Sequence, residues 1–159
     1  MSDFVIESAQ GSIKRVVAVR LQPKTDVYLG LVETCKKYGI NNGVILSAIG
    51  SISDLHYCTV DILPNSKAGY GYNADLTLTG PLSLTSAAGI ICHDDDGETN
   101  LHVHVTVADK YGNMHGGHLR EGTEVLLTFD AVLAELDGVD MKRKFNEDLG
   151  VPIFAPEQK

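Results

Sequence analysis

Four of the chain's six histidines, His102, His104, His115 and His118, fall between Leu101 and Leu119. A neutral imidazole is a common ligand for zinc and similar divalent ions, so their spacing decides whether they can act together. Along a strand, side chains alternate with period two. His102 and His104 then share one face, and Leu101, Val103, Val105 and Val107 take the other. The segment Asp109 to Asn113 carries turn chemistry and predicts an antiparallel return. A hairpin centred near Tyr111 sets His118 opposite His104, with about 4.5–5.5 Å between Cβ atoms. Three imidazoles converging on one face make a metal site with coordination positions left open. His115 stands three residues from His118, so a regular strand turns it to the opposite side, where it is expected to be exposed. The convergence depends on register. One extra residue in the turn would rotate His118 away, unless a bulge at Gly116-Gly117 restored it.

On zinc, three protein ligands leave room for water, whose pKa can fall toward about 7. Such a site suits hydrolysis or carbonyl polarisation, as in a metal-dependent lyase or hydrolase. A covalent mechanism has no support: Ser51 and Ser53 lack a Gly-x-Ser-x-Gly elbow, with Ile49 standing where the first glycine would be. His56 is isolated and reads as structural.

The elements that must position these residues are mainly strands. Ile13 to Leu21 has apolar residues on both faces, which predicts a central, covered strand. Arg20 at its end reads as a charge at the sheet rim, or as an anion partner. Pro23 to Asp26 breaks that strand and offers an N-cap. Val27, Leu31, Thr34, Cys35 and Tyr38 follow at helical spacing, with Gly39 placed to end the helix and Gly30 inside it at a cost of roughly 1 kcal/mol. Gly43 to Ser53 reads as a buried strand and Leu55 to Val60 as another, closed by turn residues Pro64 to Lys67. Asp75 to Gly80 alternates, and Pro81 is expected to start a further strand through Leu84 to Cys92. His93 to Glu98 is an acidic, solvated hairpin tip whose spacing does not match an EF-hand. Thr123 to Leu136 is rich in β-branched and aromatic residues and predicts a strand. The tail, Asp137 to Lys159, is expected to dock across the sheet. The sum is an α+β domain, a mainly antiparallel sheet flanked by one main helix, spanning residues 1–159 with a core of about 16–154.

Composition narrows the function classes. The chain has 159 residues, 43% hydrophobic, and a formal net charge of −8, so it is expected to form one domain with a sizeable core. No apolar run approaches the roughly 18 residues of a membrane span. The first residues show neither a basic nor an apolar leader region, which predicts a cytoplasmic protein. Cys35, Cys58 and Cys92 are scattered and odd in number, so they are read as reduced core residues. Acidic charge opposes polyanion binding, and the chain has only four arginines. The short cluster Lys142-Arg143-Lys144 is read as a solvated end.

Together these features resemble the PPC (plants and prokaryotes conserved) domain in its stand-alone prokaryotic form. The match runs through His102-Val103-His104, Asp109, Gly112, Gly116-Gly117-His118-Leu119 and Gly122. Before it come Arg20, the helix, Gly50-Ser51 and Gly80-Pro81-Leu82-Ser83-Leu84 in the same order. The resemblance implies an antiparallel sheet flanked by helix, assembled as a homotrimer. It also implies a three-histidine metal site, carried here onto His102, His104 and His118, with zinc as the expected cofactor. Acetolactate decarboxylase, which holds a catalytic zinc with three histidines, is a distant fold relation. Glu124, before the apolar run Val125 to Leu127, resembles the family's late-strand glutamate but is given no catalytic role. The family is also called DNA-binding, because its plant members carry AT-hooks whose Arg-Gly-Arg motifs enter the minor groove. This chain has no such motif. Three roles are therefore weighed: a trimeric metal-binding protein, a DNA-associated regulator and a trimeric interaction scaffold.

Overall fold

The computed structural model of the chain describes residues 6–159. Strand β1 (Ser12–Leu21) is followed by helix α1 (Val27–Tyr38) and the long strand β2 (Gly43–Cys58). A small hairpin, β3 (Val60–Ile62) and β4 (Tyr70–Tyr72), precedes β5 (Leu76–His93), β6 (Thr99–Ala108) and β7 (Met114–Leu119). Strands β8 (Val125–Asp137), β9 (Val139–Asn146) and β10 (Val151–Gln158) complete the order. This is the α+β arrangement expected, an antiparallel sheet served by one helix.

The helix begins where Asp26 accepts the Leu29 N–H at 2.9 Å and ends at Gly39, whose φ of 63° is left-handed. Its apolar stripe buries Val27, Leu31, Val32 and Cys35. Gly30 is explained by packing: a Cβ there would lie 2.9 Å from Leu21 Cδ1, at the end of β1. The loss of helix propensity is the condition for close approach to the sheet.

Strand β2 organises the sheet. It pairs with β8 along one edge and with β5 along the other. Its last two residues, Tyr57 and Cys58, pair with Leu119 and His118 of β7. Because β5 pairs with β6 and β6 with β7, the four strands β2, β5, β6 and β7 close a ring. Val103, Val105, Val107, Leu55, Leu84 and Leu119 contribute to the main buried core, together with the helix stripe.

Several elements depart from the sequence expectation. Strand β1 is not central; it ends the sheet order and pairs with β8 alone. Its outward apolar residues are uncovered within the chain, with Val16 57% exposed. Leu55 to Val60 is not a separate strand, since β2 continues through it to Cys58. Pro81 does not start a strand either. β5 runs through the cis Gly80–Pro81 peptide, and the Gly80 N–H donates to Asp54 Oδ1 at 2.8 Å. The tail forms the hairpin β9–β10 and joins the sheet beside β5 at a parallel bridge, His93 to Lys142. Lys142, Arg143 and Lys144 are therefore half-buried strand residues, not a solvated end. The acidic tip is as expected: Asp94 Oδ1 accepts the N–H groups of Asp96 and Glu98. All three cysteines are free and buried, and burial pushes Cys35 up to about 12 and Cys92 up to about 11.

Strand β7 is clamped between β6 and β2, and its glycines permit it. A Cβ on Gly116 would sit 2.2 Å from the Val105 carbonyl oxygen, and one on Gly117 2.6 Å from that of Cys58. Gly116→Ala is expected to destabilise the protein by about 1–3 kcal/mol through overpacking, measured by urea unfolding. At the solvated tip Gly97, with no atom within 4 Å of its would-be Cβ, the same change should cost about 1 kcal/mol for the positive φ alone.

Candidate metal centre

The β6–β7 hairpin has continuous register from Ala108 opposite Met114 to His104 opposite His118. The turn supplies no extra residue to correct, and Gly116-Gly117 form no bulge. Asp109 sets the turn: its Oδ1 accepts the N–H of Tyr111 at 2.8 Å and of Asn113 at 2.9 Å. The Asn113 side-chain amide donates to Oδ2 at 2.9 Å and does most to hold the carboxyl down at about 2, with the backbone N–H groups of Asn113 and Tyr111 adding to it. Gly112 takes the left-handed position with φ 82°. Local turn chemistry thus fixes the length of the loop, and the loop fixes which face His118 joins.

The three histidines meet. One nitrogen from each of His102, His104 and His118 lies within 4.8 Å of the others. The Nε2 atoms of His102 and His104 are 3.1 Å apart, and the ring centroids of the three lie 5.1 to 5.5 Å from one another. Tetrahedral zinc with bonds of roughly 2.0–2.1 Å needs nitrogens about 3.3 Å apart, so small rotamer adjustments suffice for this set. His118 is buried, His102 half-buried and His104 exposed. One side of the cluster is walled and the other open.

His115 does not join them. It pairs in register with Val107 and its Nε2 lies 3.4 Å from Asp109 Oδ2, so it is half-buried at the turn, more enclosed than expected. His56 serves the framework: its backbone N–H donates to Thr123 Oγ1 at 3.0 Å, and its Nδ1 lies 3.3 Å from the Thr77 hydroxyl. Glu124 is exposed and outside the cluster. Arg20 is exposed in register with Asp130, facing a cleft with Ser47 and Ile49 on the outer sheet face.

Sequence reasoning missed three residues around the cluster. The Tyr72 hydroxyl lies 3.3 Å from His102 Nε2 and 3.5 Å from His118 Nδ1. Its ring stacks on His118 at 4.8 Å between centroids, and burial raises its phenol, keeping it neutral. Arg120 lies with its guanidinium 5.6 Å over the Tyr72 ring and pairs with Asp75 at 3.0 Å. Arg143, on β9, lines the same cleft as His118 and Tyr72. Arg120 had a signal, since it stands two residues after His118 and shares its face. Tyr72 and Arg143 come from distant strands and had none.

Burial and neighbouring charge favour the neutral form of two of the rings, His118 and His102. Burial, then the charges of His102, Arg120, His104 and Arg143, push His118 down to about 4. Burial, then Arg143 and His104, lower His102 as well. A neutral imidazole with a free lone pair is the form that can ligate a metal, and His118 and His102 are held in it.

The family described as the Plants and Prokaryotes Conserved (PCC) domain matches residues 8–137. Among curated proteins, the bifunctional protein GlmU of a Synechococcus strain is 31% identical over 125 residues, 79% of this chain. The chain spans only 17% of that protein's length. Among solved structures, a plant- and prokaryote-conserved protein of Pyrococcus horikoshii is 26% identical with TM-score 0.76, over 97% of this chain and 99% of that one. A metal-containing protein of Archaeoglobus fulgidus shares the fold at 23% identity and TM-score 0.79, over 94% and 99%. A candidate DNA-binding protein of Bacteroides thetaiotaomicron is 25% identical with TM-score 0.71, over 93% and 96%.

The depressed His118 makes a prediction about the metal-free protein. An unfolded histidine titrates near 6.5. Between that pH and about 4 the unfolded chain binds a proton that the folded chain refuses. Stability should therefore fall as pH drops through this window. Thermal midpoints of chelator-treated protein measured from pH 8 to 4 should show that fall, and His118→Gln should flatten it. Equal slopes for the two proteins would contradict the assignment.

Proposed function

The chain belongs to the Plants and Prokaryotes Conserved (PCC) domain family, and we propose that it is a metal-binding member in which His102, His104 and His118 hold one divalent ion, zinc by preference. The observation that carries this reading is the convergence of three imidazole nitrogens within 4.8 Å on one sheet face. Three nitrogen ligands suit zinc, and the family's stand-alone form agrees with such a site. A divalent ion so held supplies Lewis acidity, suited to polarising a carbonyl or activating water.

The surrounding residues have definable tasks. β6 and β7 fix His104 and His118 as a directly opposed pair, so two ligands are positioned by backbone register and need little side-chain ordering. Tyr72 offers a neutral hydroxyl within reach of two of the rings, able to orient an imidazole or a bound molecule. Arg120 and Arg143 keep the site electropositive, favouring an anionic partner for the ion.

The uncovered face of the sheet supports a homotrimer. Val16, Ala18 and Arg20 on β1 stand in register with Ala134, Val132 and Asp130 on β8. Ser47 and Ile49 on β2 stand beside Val132 and Asp130. Ile49 is 56% exposed and Val16 57%, and exposed apolar residues on one face, here bordered by Arg20 and Asp130, mark an interaction surface. Assembly would cover β1, giving it the enclosure its sequence pattern implies.

A DNA-associated role is the second reading, suggested by the designation of the Bacteroides protein. The net charge of −8 and the absence of an Arg-Gly-Arg motif weigh against it. Among the described residues no helix is long and apolar enough to cross a membrane.

Elemental analysis of untagged protein, stripped and reconstituted, should find about one divalent ion per chain, lost in His102→Ala and His118→Ala. A wild-type chain with no metal after reconstitution would sink the reading. Separately, Val16→Asp combined with Ile49→Asp should lower the mass measured by sedimentation from trimer to monomer. An unchanged mass would place the interface elsewhere.

A further inference from the structure

Of the three histidines, His118 lines a cleft of about 540 Å³, within the range that encloses small molecules. Its walls combine two kinds of residue. Tyr28, Val60, Tyr70, Val151 and Pro152 supply an apolar and aromatic surface, whereas His118, Arg120 and Arg143 gather at one side. The two arginines are not equivalent. Arg120 is committed to Asp75 and to the face of Tyr72. Arg143 donates to the Pro152 carbonyl oxygen at 2.9 Å, and among the described residues no carboxylate pairs with it. A guanidinium carries five N–H donors, so most of those on Arg143 are free for a ligand.

A half-buried guanidinium with no carboxylate partner, beside the histidine cluster, needs an explanation. Its charge is felt by both His102 and His118. With a divalent ion on the histidines, repulsion would grow, and among the described residues no carboxylate pairs with Arg143 to offset it. An anion between the two would relieve it, and the planar fork of arginine matches a carboxylate through two parallel hydrogen bonds. Inorganic phosphate would use the guanidinium but leave the tyrosines and Val151 without a role. An organic acid uses both walls.

We propose that this cleft binds a small organic carboxylate, its head group on Arg143 within reach of the metal, its apolar body against Tyr28, Tyr70 and Val151. The inference rests on the metal-site reading, which it deepens by naming the class of ligand. It also gives the β9–β10 hairpin a purpose, because Arg143, Val151 and Pro152 all come from it.

The test uses the full chain loaded with zinc and titrated with benzoate, followed through backbone amide and arginine Nε–H resonances. Benzyl alcohol, a neutral counterpart, and inorganic phosphate serve as comparison probes. Benzoate should shift the Arg143 Nε–H and the amides of Tyr70 and Val151, and bind at least tenfold more tightly than either comparison probe. Arg143→Gln should weaken benzoate about tenfold, and Arg143→Lys, which keeps the charge but not the fork, by less. Metal content is measured on every sample. One ion per chain with no benzoate binding, with phosphate preferred, or with equal affinity in Arg143→Gln, overturns this inference and leaves the metal site standing. A wild-type chain that takes up no metal overturns both.

Discussion

The close approach of three strands around β7 is the constraint on which the site depends. β7 is only six residues long, yet it bonds to β6 on one side and to the end of β2 on the other. Both neighbours come so near that a methyl group at Gly116 or Gly117 would strike a carbonyl oxygen. That squeeze closes the ring of β2, β5, β6 and β7 and leaves β7 no freedom to slip. A one-residue slip would turn every side chain over. The facing of His118 toward His104 is thus decided by backbone contacts two residues away, not by anything the histidine does itself.

Enclosure then shapes the chemistry of the ring nitrogens. In water each imidazole would be partly protonated near pH 6.5. Here burial and neighbouring positive charge favour the neutral form of His102 and His118, and the effect is larger at His118, the most enclosed of the three. Lowering a histidine in this way costs stability in acid, so it opposes folding in the metal-free chain. A cation reverses the sign: a neutral ligand set binds without releasing protons, and binding to the folded state alone adds stability by mass action. The same contacts that weaken the cluster below neutral pH would favour the proposed metal.

Much of this was legible in the sequence because it was local. The alternation from Leu101 to Val107, the turn at Asp109 to Asn113 and the spacing back to His118 are separated by few residues, and parity arithmetic over one short hairpin carries little error. The helix was legible for the same reason, through Asp26, its apolar stripe and Gly39. What escaped is non-local. Whether Gly116-Gly117 would have to form a bulge stayed open, because sequence shows flexibility but not which strand lies alongside. Strand β1 looked covered because its outer face is apolar, and a single chain carries no mark of what covers it. Lys142-Arg143-Lys144 looked solvated by composition, yet pairing with β10 and the bridge to His93 draw the segment into the sheet. Tyr72 sits in a three-residue strand, too short for any periodicity to announce.

The misreading of Arg143 bears on how charge should be read in this protein. A net charge of −8 describes the whole surface, and it argues soundly against a long polyanion, which must contact much of that surface. It says little about one small anion, which senses only the groups lining its cleft. At that scale the balance inverts. Asp75 offsets Arg120, Asp140 offsets Lys142, and Glu157 offsets Lys144, which leaves Arg143 as the uncompensated charge facing the histidines. The acidic residues of β9 and β10 thus quench the lysines on either side and confine the positive potential to one guanidinium. An acidic surface that opposes a polyanion is in this way compatible with the proposed carboxylate site beside the three histidines.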